Sequence, residues 1–183
     1  MKFSTFYGTL LAGLVLLASC SLDYEQSRST EELSENIPNS IVRNYNYVNI
    51  RPAYSSLRIH AEEARMFHKS RKTELQNLYF RQIGRDGEVL TVGRAERAVI
   101  YTANDNVDLF GAIYFTDSTS DTIIEAEFLH WNNQERSLEG TPDQEVRVHR
   151  EDGSSIRGRG FRAHPPSRTL EFQSRVKGRF VDE

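Results

Sequence analysis

The stretch Leu170 to Phe180 constrains this chain most. Leu170, Phe172, Ser174, Val176, Gly178 and Phe180 alternate with Glu171, Gln173, Arg175, Lys177 and Arg179. Period two puts the first set on one face of a β-strand and the charged and polar set on the other. Such a strand has one dry side and one wet side. Two more runs precede it. Val146 and Val148 alternate with Arg147 and His149, and Asp152-Gly153 then marks a tight turn, since Gly tolerates positive φ. Ser155 to Ala163 follows, with Gly158 and Gly160 two apart and so expected on one face. Pro165-Pro166 ends that run, because proline removes a ladder donor. Residues 145–180 thus predict three strands joined by two turns.

The same signals run upstream. Tyr45, Tyr47, Val48 and Ile50 form a β-prone run, and Leu57, Ile59 and Ala61 alternate with Arg58, His60 and Glu62. Leu78 and Phe80 alternate with Tyr79 and Arg81. Asp86-Gly87 is a turn before Val89 to Val92. Val107, Leu109, Gly111, Ile113 and Phe115 make a second long one-sided strand, and Ile124, Ala126 and Phe128 follow the turn at Ser118 to Asp121. A helical stripe is conceivable only over Ala61 to Arg71. Strand and turn signals at this density predict an all-β domain of consecutive antiparallel hairpins.

An echo accompanies the pattern. Ala61-Glu62-x-Ala64, Ala95-Glu96-x-Ala98 and Ala126-Glu127-x-Leu129 start 34 and then 31 residues apart. Each unit has room for two strands and a turn. Stacked hairpins of this kind predict a long, twisted, open-ended sheet rather than a closed barrel.

The N-terminus belongs to another class of segment. Lys2 precedes an apolar run from Tyr7 to Ala18, too short for a membrane span. It ends in Leu17-Ala18-Ser19-Cys20, which resembles a bacterial lipobox, and Cys20 is the only cysteine in the chain. The expectation is a lipoprotein signal peptide over 1–19, with Cys20 acylated and holding the protein on a membrane. Residues 20–36 are polar and acidic and read as a flexible tether. Residues 37–183 form the folded domain. With a net charge of −3 and 27% charged residues, nothing suggests nucleic acid.

The ordered features carry a family resemblance. They are Ile37-Pro38, the Ala-Glu-x-Ala units, Asp108-Leu109-Phe110-Gly111-Ala112-Ile113, Ile124 to Trp131 and Val146-x-Val148. Asp152-Gly153-Ser154-Ser155-Ile156-x-Gly158-x-Gly160-Phe161-x-Ala163 and Val176-x-Gly178 close the set. Together they resemble the LptC family, the periplasmic component of the lipopolysaccharide export ABC transporter. The resemblance implies a twisted antiparallel β-jellyroll with an apolar interior groove, no cofactor and no enzymatic activity. It implies lipopolysaccharide or a related glycolipid as cargo, inner-membrane transporter permeases as one partner and an LptA-like bridge protein, joined by edge-strand addition, as the other. On that reading Val107, Leu109, Ile113, Phe115, Leu170, Phe172, Val176 and Phe180 line the groove, although ordinary core packing explains the same residues equally well. It also implies the periplasmic side of the inner membrane. The lipobox departs from the uncleaved helical anchor of well-known members and leaves the outer membrane open.

Other readings compete. A structural or adhesion lipoprotein that binds protein or glycan would show the same strands with a tightly closed core. Glu125 and Glu127, about 6.6 Å apart along one strand face, could serve a glycoside hydrolase, but they fit a solvent-facing pair better. His60, His68, His130, His149 and His164 are scattered without metal-ligand spacing. Arg157, Arg159, Arg175, Lys177 and Arg179 could meet lipid phosphates or an acidic partner, or form a solvated strand face.

Overall fold

A computed structural model of the protein describes residues 36–51 and 55–181. The signal peptide, Cys20 and nearly all of the tether lie outside the described residues. Pro38–Glu183 forms one compact unit. Its strands are β1 (Ser40–Arg51), β2 (Ser55–Phe67), β3 (Lys72–Ile83), β4 (Val89–Tyr101) and β5 (Asn106–Asp117). They continue as β6 (Thr122–Asn132), β7 (Ser137–Glu139), β8 (Glu145–Arg150), β9 (Ser155–His164) and β10 (Thr169–Arg179). A single 3₁₀ turn, Pro165–Ser167, stands where the proline pair was expected to end a strand. The segment Ala61 to Arg71 is strand and turn, with no helix.

All ten strands belong to one antiparallel sheet. Each of β1 to β6 pairs with its sequence neighbours. The C-terminal end of β6 pairs with β7 and its N-terminal end with β8, and β9 pairs with both in turn. The two short strands therefore occupy one strand position, interrupted by Gly140 to Gln144. The sheet is a simple meander with β1 at one edge and β10 at the other. Local turn chemistry explains why. Four hairpin loops end on a left-handed residue, Arg71, Asp105, Asp121 and Arg136, a geometry that turns a strand back on its neighbour. At the β5–β6 loop Asp117 accepts bonds from the Thr119 amide and hydroxyl and from the Ser120 hydroxyl. Burial alone would raise the Asp117 pKa, but these donors and the charge of Arg168 outweigh it and hold the carboxyl below its ordinary range.

One feature organises the sheet. Successive side chains of a strand point to opposite faces, so residues i and i+3 cannot share one. Yet Ala61 and Ala64, Leu75 and Leu78, Ala95 and Ala98, and Ala126 and Leu129 are all buried. Each pair brackets a break in the pleat. Asn77 has φ 48°, Gly111 and Ala112 have φ 71° and 39°, and Asn44 in β1 has φ 52°. Register skips the same line: Arg43 pairs with Glu63 and Tyr45 with Ala61, while Gln76 pairs with Arg97 and Leu78 with Ala95. Across β1 to β4 one residue of each strand is left unpaired with the register unchanged, and β5 carries a bulge against both neighbours; together these breaks form a crease crossing β1 to β6 through Asn44, Glu62, Asn77, Glu96, Gly111-Ala112 and Glu127. It continues through the 140–144 interruption to Gly160 (φ 64°) in β9 and the facing Gln173 in β10, with a separate bulge at Arg175 (φ 53°) two residues on. A residue turned out of the pleat bends the strand and reverses its parity, whether or not it shifts the register. The apolar side thus stays inside on both flanks of the bend.

The crease explains the sequence echo. Ala-Glu-x-Ala falls on β2 and β4, with Ala-Glu-x-Leu on β6, and the Glu sits on the crease. Small Ala residues on β2 and β4 face large Leu residues on odd strands. Val42, Ala64, Leu75, Ala98, Leu109 and Leu129 are successive cross-strand partners. So are Tyr45, Ala61, Leu78 and Ala95 on the other flank. Small against large lets the bent layers interdigitate at interior density. Among the described residues no second sheet or long helix covers this face, so its burial comes from the sheet's own bending.

Two sequence expectations need correction. Gly158 and Gly160 do not share a face: a side chain at Gly158 would meet Phe172, while one at Gly160 would meet Gln173. The positive φ of Gly160 reverses parity between them. Likewise the alternation of β10 is not one unbroken pleat, because its pairing with β9 shifts register between Ser174 and Lys177.

The crease makes a prediction. Asn77 tolerates its left-handed backbone and donates to the Glu62 carboxylate at 2.8 Å. Asn77→Ala should cost about 1–2 kcal/mol, read as a lower urea midpoint at unchanged slope. Asn77→Gly should cost less, since it keeps the backbone freedom and loses only an exposed bond.

Candidate functional site

The bent apolar face is the candidate site. A transverse row on one flank runs Met66, Thr73, Ile100, Val107, Trp131, Leu138, Ala163 and Leu170, each the cross-strand partner of the next. On the opposite flank the row runs Tyr47, Ile59, Phe80, Gly93, Phe115, Ile124, Val148 and Ile156. Apolar side chains therefore continue across strand after strand without a sequence-local motif.

The second row shows how local sequence shapes the face. Phe80 and Phe115 flank Gly93 on neighbouring strands, and their ring centroids are 6.0 Å apart, tilted by 46°. A Cβ on Gly93 would run into the Phe80 ring. The glycine is thus the gap over which two aromatic side chains meet. Gly158 does the same near the C-terminal edge, where Phe172 lies over it with its centroid 5.4 Å from that of Phe161. Tilted aromatic pairs of this kind add to the burial of area.

The eight residues expected to line a groove divide into two groups. Leu109 and Ile113 are buried in the core, and Val107, Phe115 and Phe172 pack against it partly buried. Leu170, Val176 and Phe180 are exposed, at 45%, 51% and 76%, on or just beyond the edge strand. The residues brought to the face without being singled out in advance are Ile59, Phe80, Ile100, Trp131 and Ile156. Their signal was present as alternation, but the crease scrambles parity within each strand, so a single-period reading follows only one flank.

The opposite face is polar and braced. Tyr101 on β4 donates to Asp108 on β5 at 2.8 Å, and the His130 ring of β6 meets the other Asp108 oxygen at 2.6 Å. The bond to Asp108 is the main reason the Tyr101 hydroxyl pKa is raised. Arg97 lies over the Phe110 ring at 3.9 Å, and Phe110 stacks against Phe128 at 5.2 Å. Glu125 faces Arg147 at 3.5 Å, and Glu127 is exposed on the crease. Both lie away from the buried Ile124 and Ala126. Among the described residues no group of three or more His, Cys, Asp or Glu side chains is placed to hold a metal ion. No helix among them is long and apolar enough to cross a membrane.

What this arrangement offers chemically is a continuous apolar surface on one face and a braced polar surface on the other. Comparison with known proteins gives three findings. A family model described as LptC, lipopolysaccharide-assembly, LptC-related, matches residues 9–181. No curated protein matches the sequence. Among solved structures, the fold is similar to that of LptH from Pseudomonas aeruginosa, described as the LptA-homologous periplasmic component of the lipopolysaccharide transport device. The TM-score is 0.53 at 10% identity, over 69% of this chain and 95% of that one. At that identity the likeness speaks for the fold, a β-jellyroll.

Burial separates the two groups of expected lining residues by experiment. Leu109→Ala, in the core, should cost about 2–4 kcal/mol. Leu170→Ala, on the exposed edge, should stay within about 0.5 kcal/mol. Chemical denaturation of both variants checks this, and equal losses would contradict the assignment of Leu109 to the core and Leu170 to the surface.

Proposed function

Because the chain belongs to the LptC family of lipopolysaccharide-assembly proteins, we propose that its bent apolar face carries the acyl chains of lipopolysaccharide, or a related glycolipid, across the periplasm. The protein acts as a carrier and not as an enzyme. It receives the glycolipid from inner-membrane ABC transporter permeases and passes it to an LptA-like bridge protein. The observation that carries this reading is the pair of apolar rows spanning the sheet on both flanks of the crease. Each acyl methylene withdrawn from water contributes about 0.8 kcal/mol, so a face many strands wide can hold several chains without any polar recognition motif. The partly buried Val107, Phe115 and Phe172 line the path, with Leu109 and Ile113 beneath it. Leu170, Val176 and Phe180 lie at its C-terminal mouth.

The unpaired sheet edges support the partner assignments. Among the described residues β1 and β10 each have one neighbour in the sheet, leaving a row of backbone donors and acceptors on the other side. A bridge protein of the same fold adds its own terminal strand to β10 and extends the apolar path. Ile41, Val42, Tyr47 and Val48, exposed on β1, fit the transporter side.

Photo-crosslinking residues at positions 115 and 172 should capture glycolipid in cells exporting it, while one at the exposed Tyr79 should not. Capture at all three positions, or at none while export is active, would reject the groove. The mutation Phe115→Asp should abolish transfer, with circular dichroism confirming that the sheet persists.

The lipid anchor is proposed at Cys20, on the lipobox sequence. Cys20→Ala should release the protein from membranes and remove incorporation of labelled palmitate. A variant that stays membrane-bound and labelled would place the anchor elsewhere.

A further inference from the structure

The polar face carries a charge arrangement that acyl-chain transport does not use. Glu125, Arg147, Arg157 and Lys177 are successive cross-strand partners over β6, β8, β9 and β10. Like charges placed directly opposite one another destabilise a sheet, and here three cations stand in line. Ser155 and Arg179 form the next cross-strand pair. Arg147, Ser155, Arg157, Lys177 and Arg179, with Ile156 and Gly178 between them, line a cleft of about 310 Å³. It lies on the side away from the buried Val146 and Val148. Compensation is thin. Glu125 approaches Arg147 only to 3.5 Å and Glu145 approaches Arg157 to 3.6 Å, with all four side chains about half exposed. Among the described residues no carboxylate forms an ion pair with Lys177 or Arg179. His149, directly opposite Ser155, buries its Nδ1 without a hydrogen-bond partner among the described residues. In a chain of net charge −3 such a cluster runs against the overall balance.

We propose that this cleft binds a phosphate-bearing anion. A phosphate group offers several acceptor oxygens in tetrahedral array, so it can take guanidinium forks and an ammonium at once, which a single carboxylate cannot. The cleft has room for a diphosphate or a phosphorylated headgroup. Binding would relieve the repulsion along the row and tie β10 to β8 and β9. The inference stands apart from the transport reading, because its cations lie on the opposite face and, of the apolar rows, only Ile156 borders the cleft.

Calorimetry tests it on the full chain, purified in non-ionic detergent at low salt, with two probes: inorganic pyrophosphate and dihexanoyl phosphatidic acid. The double variant Lys177→Gln/Arg179→Gln removes two exposed charges from the edge strand. The control Arg58→Gln/Arg85→Gln removes the same charge outside the cleft. The cleft variant should weaken binding about tenfold or more, and the control less than about twofold. Binding of pyrophosphate identifies the free phosphate group as sufficient, while binding of the lipid alone identifies a headgroup; both support the site. Failure of both probes, equal weakening by both variants, or equally tight binding of hexaglutamate would overturn it.

Discussion

A β-strand has two faces, and a sheet that must be dry on one side can bend sharply only if its strands change parity at the bend. The aligned pleat breaks of this protein meet that requirement. Asn44, Asn77 and Gly111-Ala112 take left-handed backbone, and Glu62, Glu96 and Glu127 occupy the matching positions of the alternate strands. Without the crease, Ala61 and Ala64, or Leu75 and Leu78, would lie on opposite sides of the sheet. One of each pair would then face water, and the sheet could not enclose its own apolar face.

The packing follows from the bend. Alanines on β2 and β4 take the inside where leucines from β3 and β5 project, so the layers close with little void. Aromatic side chains stand further from the crease, where Phe80 and Phe115 meet over Gly93 and Phe172 rests on Gly158. The bulk thus grows from alanine at the crease to phenylalanine and tryptophan towards the flanks. This graded apolar face is the surface on which the proposed carriage of glycolipid rests.

The polar face is not passive. The Tyr101, Asp108 and His130 brace ties β4, β5 and β6 together, while the C-terminal strands gather cations. Charge and edge strand coincide at β10, where nearly every side chain is exposed. That end of the sheet therefore contributes little to the core.

Strand positions, hairpin turns and the all-β class were legible in the sequence, because side-chain alternation and turn residues act locally. So was the repeat, although its meaning was not: Ala-Glu-x-Ala reads as an echo in the chain and becomes a crease only when the strands are set side by side. The face of each residue was legible only on one side of that crease. Gly158 and Gly160 show the limit, since period two joins them and one left-handed residue separates them. Leu170, Val176 and Phe180 show another: their alternation predicts a dry side, but whether a dry side is covered depends on what lies across from it, and β10 is an edge. By itself the sequence determined the strands, their order and the apolar content of each. Tertiary structure alone decided which apolar residues meet, because parity, register and edge position are properties of the assembled sheet.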